Sequence, residues 1–281
     1  MSVREFQIMG VVNVTPDSFF DGGRHDGADA AAAHAATLID AGAAIVDIGG
    51  ESTRPGADPV DAVVETGRVV PVIERVRVAR PRARISVDTM KLGVAEAAVR
   101  AGATYVNDVS AFTGDPELAG FVADAGVDCC LMHMQGEPRT MQADPRYDNV
   151  VDDVRAFLER RMSFAIAEGV PERRIQLDPG IGFGKTLEHN LELLHRLDEI
   201  VALGRPVVIG ASRKSFLARI ARNADTTGVE VTDRLPGTTA ANVVALLRGA
   251  EIFRVHDVAE AAQSLAVAAA IAGAGTPAPA S

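Results

Sequence analysis

Hydrogen-bonding and ionisable residues recur in this chain at one kind of place, the end of a short apolar run. Asn13 closes the first run, Asp47 and Glu51 flank the end of the second, and Asp88 closes the third. Asn107 and Asp108 end the fourth, His133 the fifth and Asp178 the sixth. Ser212, Arg213 and Lys214 follow the seventh, and Arg254, His256 and Asp257 stand at the eighth. A single Asp or Asn in such a place can simply cap the next helix. Repetition at nearly every run points to a site assembled from many strand ends. Asp88, Asn107 and Asp178 offer carboxylates and a carboxamide to a ligand rich in N–H donors, while Lys214, Arg254 and His256 offer cationic donors to an anion. Together they suit a flat, polar heterocycle that carries a phosphate or diphosphate. Asn13 and His256, with a ligand diphosphate, would hold a hard cation such as Mg²⁺, which takes few protein ligands and borrows phosphate oxygens. His133 also reads as a satisfied core histidine and is left outside the site.

Two loops look too specific to be spacers. VTPDSFFDGG follows the first run and holds Phe19 and Phe20; GESTRPGADP follows the second and holds Thr53, Arg54 and Pro55. Aromatic residues in such a loop can close over a planar ligand, and an arginine bounded by Gly and Pro can grip an anion. Asp17, Asp47 and Glu51 are candidates to orient these loops or Arg54.

The runs that carry these residues have the character of strands: 7–13, 44–49, 84–88, 104–108, 128–133, 174–178, 206–210 and 251–256. Each is nearly continuously apolar and followed by a stretch with helical spacing, the pattern of a parallel sheet covered by helices. AGAAIVDIG, AGATYVND, ADAGVDCCLM and RGAEIFRVH all place a glycine just before the next strand, where a helix C-cap needs a left-handed residue. Eight such units in 281 residues predict a single (β/α)₈ barrel over residues 1–272. No G-x-G-x-x-G follows the first strand, which argues against a dinucleotide fold. The tail GAGTPAPAS, 273–281, is too small and proline-rich to pack and is expected to be disordered.

With 47% hydrophobic residues the chain can bury a large core, and its formal net charge of −10 argues against a nucleic-acid partner. Its only two cysteines, Cys129 and Cys130, are adjacent in an apolar run and read as small buried hydrophobes, so a reducing, cytoplasmic setting is expected. The N-terminus lacks a signal-peptide core, and the longest apolar stretch, Leu265 to Gly275, is too short to span a bilayer.

Eight motifs stand in order between residues 7 and 258: NVTPDSFFDGG, DIGGESTRPGA, ISVDT, YVNDVS, LMHMQGEPRTMQ, LDPGIGFGKT, GASRKS and RVHDV. In this set the chain resembles the dihydropteroate synthases. The resemblance implies a (β/α)₈ barrel that displaces diphosphate from (7,8-dihydropterin-6-yl)methyl diphosphate with the amine of p-aminobenzoate, assisted by Mg²⁺. Carried over by motif, Asp88, Asn107, Asp178 and Lys214 would hold the pterin, while Asn13, Thr53, Arg254 and His256 would bind the diphosphate and its metal. Asp88, Lys214 and Arg254 would carry the chemistry. Phe19, Thr53, Arg54, Pro55, Phe183, Lys214 and Ser215 would form the p-aminobenzoate site, which sulfonamides imitate. The resemblance further implies a homodimer, for which the alanine-rich helix Ala259 to Ala272 is a candidate contact. Rival readings are a methyltetrahydrofolate-binding methyltransferase barrel and a pterin-binding paralogue without catalysis. The loop ESTRPGA, the SRKS lysine and the RVHDV end favour the synthase.

DPGIGFGKT, residues 178–186, ends like a phosphate-cradling P-loop, but Pro179 stands where its first glycine should be. On the barrel reading the informative residue is Asp178, and Lys185 is expected to face solvent.

Overall fold

The computed structural model describes residues 5–15, 24–53, 56–224 and 233–273. Its strands are β1 (Gln7–Asn13), β2 (Ile45–Gly49), β3 (Arg84–Asp88), β4 (Tyr105–Asp108), β5 (Asp128–Met132), β6 (Ile175–Asp178), β7 (Val208–Ile209) and β8 (Ile252–Val255). All pair in parallel, in the order β6-β5-β4-β3-β2-β1-β8-β7. A bridge from Leu177 to Val207 joins the two ends, so the sheet closes into the expected barrel.

Around it lie α1 (Arg24–Asp40), α2 (Ala62–Ala79), α3 (Leu92–Ala101), α4 (Glu117–Ala125), α5 (Val150–Ala167), α6 (Leu187–His195), α7 (Leu197–Val201), α8 (Ser215–Ala224), α9 (Leu235–Leu247) and α10 (Val258–Gly273). Gly42, Gly102, Gly126 and Gly249 all take positive φ before their strands, as the repeated phrase predicts. Among the described residues no helix is long and apolar enough to cross a membrane. The expectations for Asp17, Phe19, Phe20, Arg54, Pro55 and the tail from residue 274 onward fall outside the described residues.

Strand parity separates two apolar layers. Met9, Ile45, Tyr105, Cys130, Val208 and Ile252 cluster inside the barrel. Ile8, Val46, Ile85, Val106, Cys129 and Leu131 belong to the larger layer under the helices. Both faces are buried, which is why the strands read as continuous apolar runs. Each fully buried aliphatic side chain in these layers contributes roughly 1.5–3 kcal/mol. Cys129 and Cys130 are free thiols, one in each layer, and burial pushes both thiols up, away from the reactive thiolate. Below the inner cluster, Arg84 donates to Gln7 Oε1 (2.8 Å) and Asp128 Oδ2 (2.9 Å), which places a polar closure at the barrel's N-terminal end. In barrels of this kind the functional site opens at the C-terminal end of the strands.

The strands match expectation closely except for β7, expected over 206–210 and observed as two residues. Pro206 has no N–H to give a ladder and takes part only as acceptor, receiving Leu177 N at 3.0 Å.

Candidate active site

Register brings the C-terminal strand ends to one level. Asn13 pairs with Gly49, Gly49 with Asp88, and Asp88 with Asn107. Met132 pairs with Asp178 on the next strands round. Inward parity adds Asp47, two residues beyond Ile45, and Arg254, two beyond Ile252.

Arg254 is the electrostatic centre of this level. Its Nε donates to Asp47 Oδ2 at 2.7 Å and its Nη2 to Asp88 Oδ2 at 2.8 Å, so two of its three nitrogens are engaged. Asp47 is fully buried and also accepts from Ser86 Oγ (2.6 Å) and Asn107 Nδ2 (3.1 Å). Burial works against the charge on Arg254, but the Asp47 and Asp88 carboxylates more than offset it and hold the guanidinium above the ordinary arginine range. Burial pushes the Asp88 carboxyl up to about 7 against the pull of Arg254. Asp47 is a candidate to orient loops or Arg54, which lies outside the described residues; among those described it orients Arg254 and Asn107. Parity with Ile45 was the sequence signal for that role.

Across the barrel, Asp178 accepts from Gly180 N at 2.7 Å, and burial raises its pKa while Lys214 pulls the other way. Lys214 ends the turn after β7, donates to the Ile181 carbonyl, and lies 4.5 Å from the centroid of the Phe183 ring. Burial lowers its pKa to about 8, with Asp178 opposing. Ser215 begins α8 and is exposed, as expected for a residue at a helix N-terminus. Phe183, Thr53 and Asn13 are half-buried. Ser212 Oγ lies 3.0 Å from His256 Nδ1 and accepts His256 N at 3.2 Å. The partnership spans 44 residues, and local sequence gave no sign of it.

Several strand-end groups turn away from the pocket. Asp108 accepts from Ser110 N (2.7 Å) and Phe112 N (2.6 Å) and holds a turn in which Ala111 and Phe112 take positive φ. Asp257 pairs with Arg213, tying the β7 turn to the end of β8. Glu51 accepts Val60 N at 2.7 Å and pairs with Lys91 at 2.8 Å, and Lys91 also reaches the buried Glu65. Glu51 thus anchors the root of the GESTRPGADP loop, one of the roles open to it from sequence.

Lys185 does not face solvent. It is 3% exposed, and its Nζ lies 2.9 Å from His133 Nδ1 and donates to Phe183 O at 3.0 Å. A lysine just before a helix is ordinarily surface, but here the helix start lies one residue later. In fact Thr186 is the α6 N-cap, accepting His189 N at 3.2 Å in a capping box, and the residue before it turns inward. No P-loop lysine chemistry follows, because this side chain is spent inside the fold.

The chain matches the family model described as pterin binding enzyme over residues 9–256. It is 42% identical over 260 residues to the dihydropteroate synthase of Escherichia coli, covering 92% of this chain and 89% of that protein. The dihydropteroate synthase of Xanthomonas albilineans, solved with 4-aminobenzoic acid, superposes with a TM-score of 0.87 at 42% identity, covering 98% of this chain and 95% of that one. The Yersinia pestis dihydropteroate synthase, solved in a sulfonamide drug complex, gives a TM-score of 0.87 at 40% identity over 97% and 96% of the two chains.

Proposed function

The chain belongs to the pterin-binding enzymes and, among them, to the dihydropteroate synthases, and from that premise we propose how its own residues carry out the reaction and what they bind. The enzyme is a transferase of folate biosynthesis that joins the pterin methyl diphosphate to p-aminobenzoate, giving 7,8-dihydropteroate and diphosphate. The observation that carries the residue assignment is Arg254 clasped between Asp47 and Asp88 at the same level as Asn107. A half-buried guanidinium oriented by two buried carboxylates beside carboxamide and carboxylate acceptors suits a ligand that is anionic at one end and rich in N–H groups at the other.

In this reading Asp88, Asn107 and Asp178 accept from the pterin ring and Lys214 donates to it. Arg254 and His256 bind the diphosphate, with Thr53 at the loop root and Ser212 holding the Nδ1 edge of His256 so that Nε2 is the nitrogen that meets the anion. As the C–O bond to diphosphate breaks, its electron pair leaves with the phosphate oxygens, and positive charge spreads over the electron-rich pterin methyl group. The buried carboxylates of Asp88 and Asp178 stabilise that charge. The amine of p-aminobenzoate then forms the C–N bond and sheds one proton to solvent. Phe183, Ser215 and the loops carrying Phe19, Arg54 and Pro55 make the p-aminobenzoate side, and the free N–H groups opening α8 favour its carboxylate.

Mg²⁺ fits as an ion brought with the substrate. Among the described residues no three His, Cys, Asp or Glu side chains converge on a metal position; the Asn13 carboxamide oxygen would hold the ion together with phosphate oxygens, a combination that suits this hard cation. When bound, it would neutralise charge on the departing diphosphate. A sulfonamide should compete with p-aminobenzoate and leave pterin binding unchanged; non-competitive inhibition would contradict the assigned second-substrate site.

Acid–base behaviour follows from two groups. The kcat/KM for the pterin substrate should fall below about 7 as Asp88 takes up a proton and loses its acceptor character, and fall again above about 8 as Lys214 loses its charge. Asp88→Asn should remove the acid limb and Lys214→Arg the alkaline one, whatever the height of the remaining rate. Unmoved limbs would detach these groups from the pH dependence.

The dimer reading has support in α9 and α10, where Val244, Leu247, Val267 and Ile271 are 45%, 48%, 55% and 72% exposed. We expect sedimentation at twice the chain mass and monomers from Val267→Asp with Ile271→Asp. A wild-type monomer at micromolar concentration would remove this part of the reading. Burial of both thiols is consistent with a cytoplasmic setting.

A further inference from the structure

The loop that carries Phe183 is pressed onto the loop after β5. Gly180 (φ +70) and Gly184 (φ +60) approach so closely that a Cβ on either would collide with the carbonyl oxygens of His133 and Gln135 respectively. Its flanks are pinned by Asn190 Oδ1, which accepts Gly182 N at 2.6 Å, and by Tyr147, whose hydroxyl donates to Gly184 O at 2.7 Å. Beneath the tip sits Lys185, whose three nearest acceptors are His133 Nδ1 (2.9 Å), Phe183 O (3.0 Å) and His133 O (3.4 Å). These polar partners satisfy the buried amino group, whose pKa burial lowers well below the ordinary lysine value against the pull of Asp178. His133 is itself fixed, with its ring 4.9 Å from that of Phe157 in an edge-to-face contact. Burial and the adjoining Lys185 hold His133 neutral, so one ring nitrogen is an acceptor, and the tautomer with that acceptor at Nδ1 matches the Lys185 contact.

We propose that Lys185 is a positioning residue for the second substrate: by holding the Phe183 carbonyl against the fixed His133, it sets the place of the Phe183 ring beside Lys214. The ring and the Lys214 ammonium are in contact only because the loop tip is held at this height. On the pterin side Asp88 and Asn107 make no hydrogen bond to this loop, and Asp178 meets it only at Gly180 N, ahead of the tip that Lys185 holds, so the larger effect falls on the second substrate. The inference rests on the synthase reading, and wild-type turnover in the same assay tests that reading separately.

Lys185→Met keeps the length and removes the donor. The KM for p-aminobenzoate should rise about tenfold, the size of one lost hydrogen bond, while the Kd of a pterin analogue without diphosphate stays within about twofold. This variant also leaves His133 without its partner and should melt lower. The double variant His133→Leu with Lys185→Met removes both polar groups and should regain much of the stability. Its KM should nonetheless stay high, because the Phe183 carbonyl is still unheld. A KM that returns to wild type together with the melting temperature would reduce Lys185 to a structural residue and overturn the proposal. An unchanged KM in the single variant, or equal losses toward both substrates, would do the same.

Discussion

Arg254→Ala should lower kcat/KM for the pterin diphosphate by about a hundredfold to a thousandfold, the cost of removing one positioned donor to a charge that develops in the transition state. Two losses combine. The leaving group loses its fixed cation, and Asp47 and Asp88, 0% and 7% exposed, are left facing each other without one. The second loss is visible in the fold: the melting temperature should drop by several degrees, at roughly 2–4 °C per kcal/mol for a chain of this size. Arg254→Lys keeps a charge but cannot span both carboxylates and the diphosphate, so it should recover stability better than rate. Retention of near wild-type kcat/KM in Arg254→Ala would remove this residue from the site.

The second large effect has the opposite stability signature. Lys214→Ala removes a donor beside Asp178 and the cation over Phe183, and the loss in kcat/KM should reach about a hundredfold to a thousandfold. It should also raise KM for p-aminobenzoate, because Phe183 and the Ile181 carbonyl both depend on this side chain. Stability should hold or improve. Burial lowers the Lys214 pKa from its ordinary value to about 8, so the folded state disfavours its charge; the unfolded chain binds the proton more tightly, and the charged lysine is a cost to the fold at neutral pH. Activity lost with stability kept marks a residue retained for chemistry rather than packing. A melting temperature that falls as far as in Arg254→Ala would contradict that assignment.

These two residues also show what the sequence made legible. Arg254 and Lys214 stand at strand ends, and the alternation of apolar runs and helical stretches was enough to find the ends, hence the level of the pocket. Asp88, Asn107 and Asp178 followed by the same reasoning, and the structure brings their strand ends together. What remained hidden depends on partners distant in the chain. Asp47 read as a loop-orienting residue until Arg254, 207 residues away, was seen on its carboxylate. Ser212 found its histidine only across two strands. Lys185 carried no local signal of burial, because its acceptors come from β5 and from a turn shaped by glycines. Local pattern sets strand, parity and turn, whereas hydrogen-bond pairing across the barrel is fixed only by closure.

The most direct test of the central claim is a time course of diphosphate release from the purified chain with the pterin diphosphate, p-aminobenzoate and Mg²⁺. One diphosphate should appear per dihydropteroate formed, with product formation depending on both organic substrates and lost in Arg254→Ala. Tight pterin binding without any product under those conditions would contradict the account and leave a pterin-binding protein that does not catalyse.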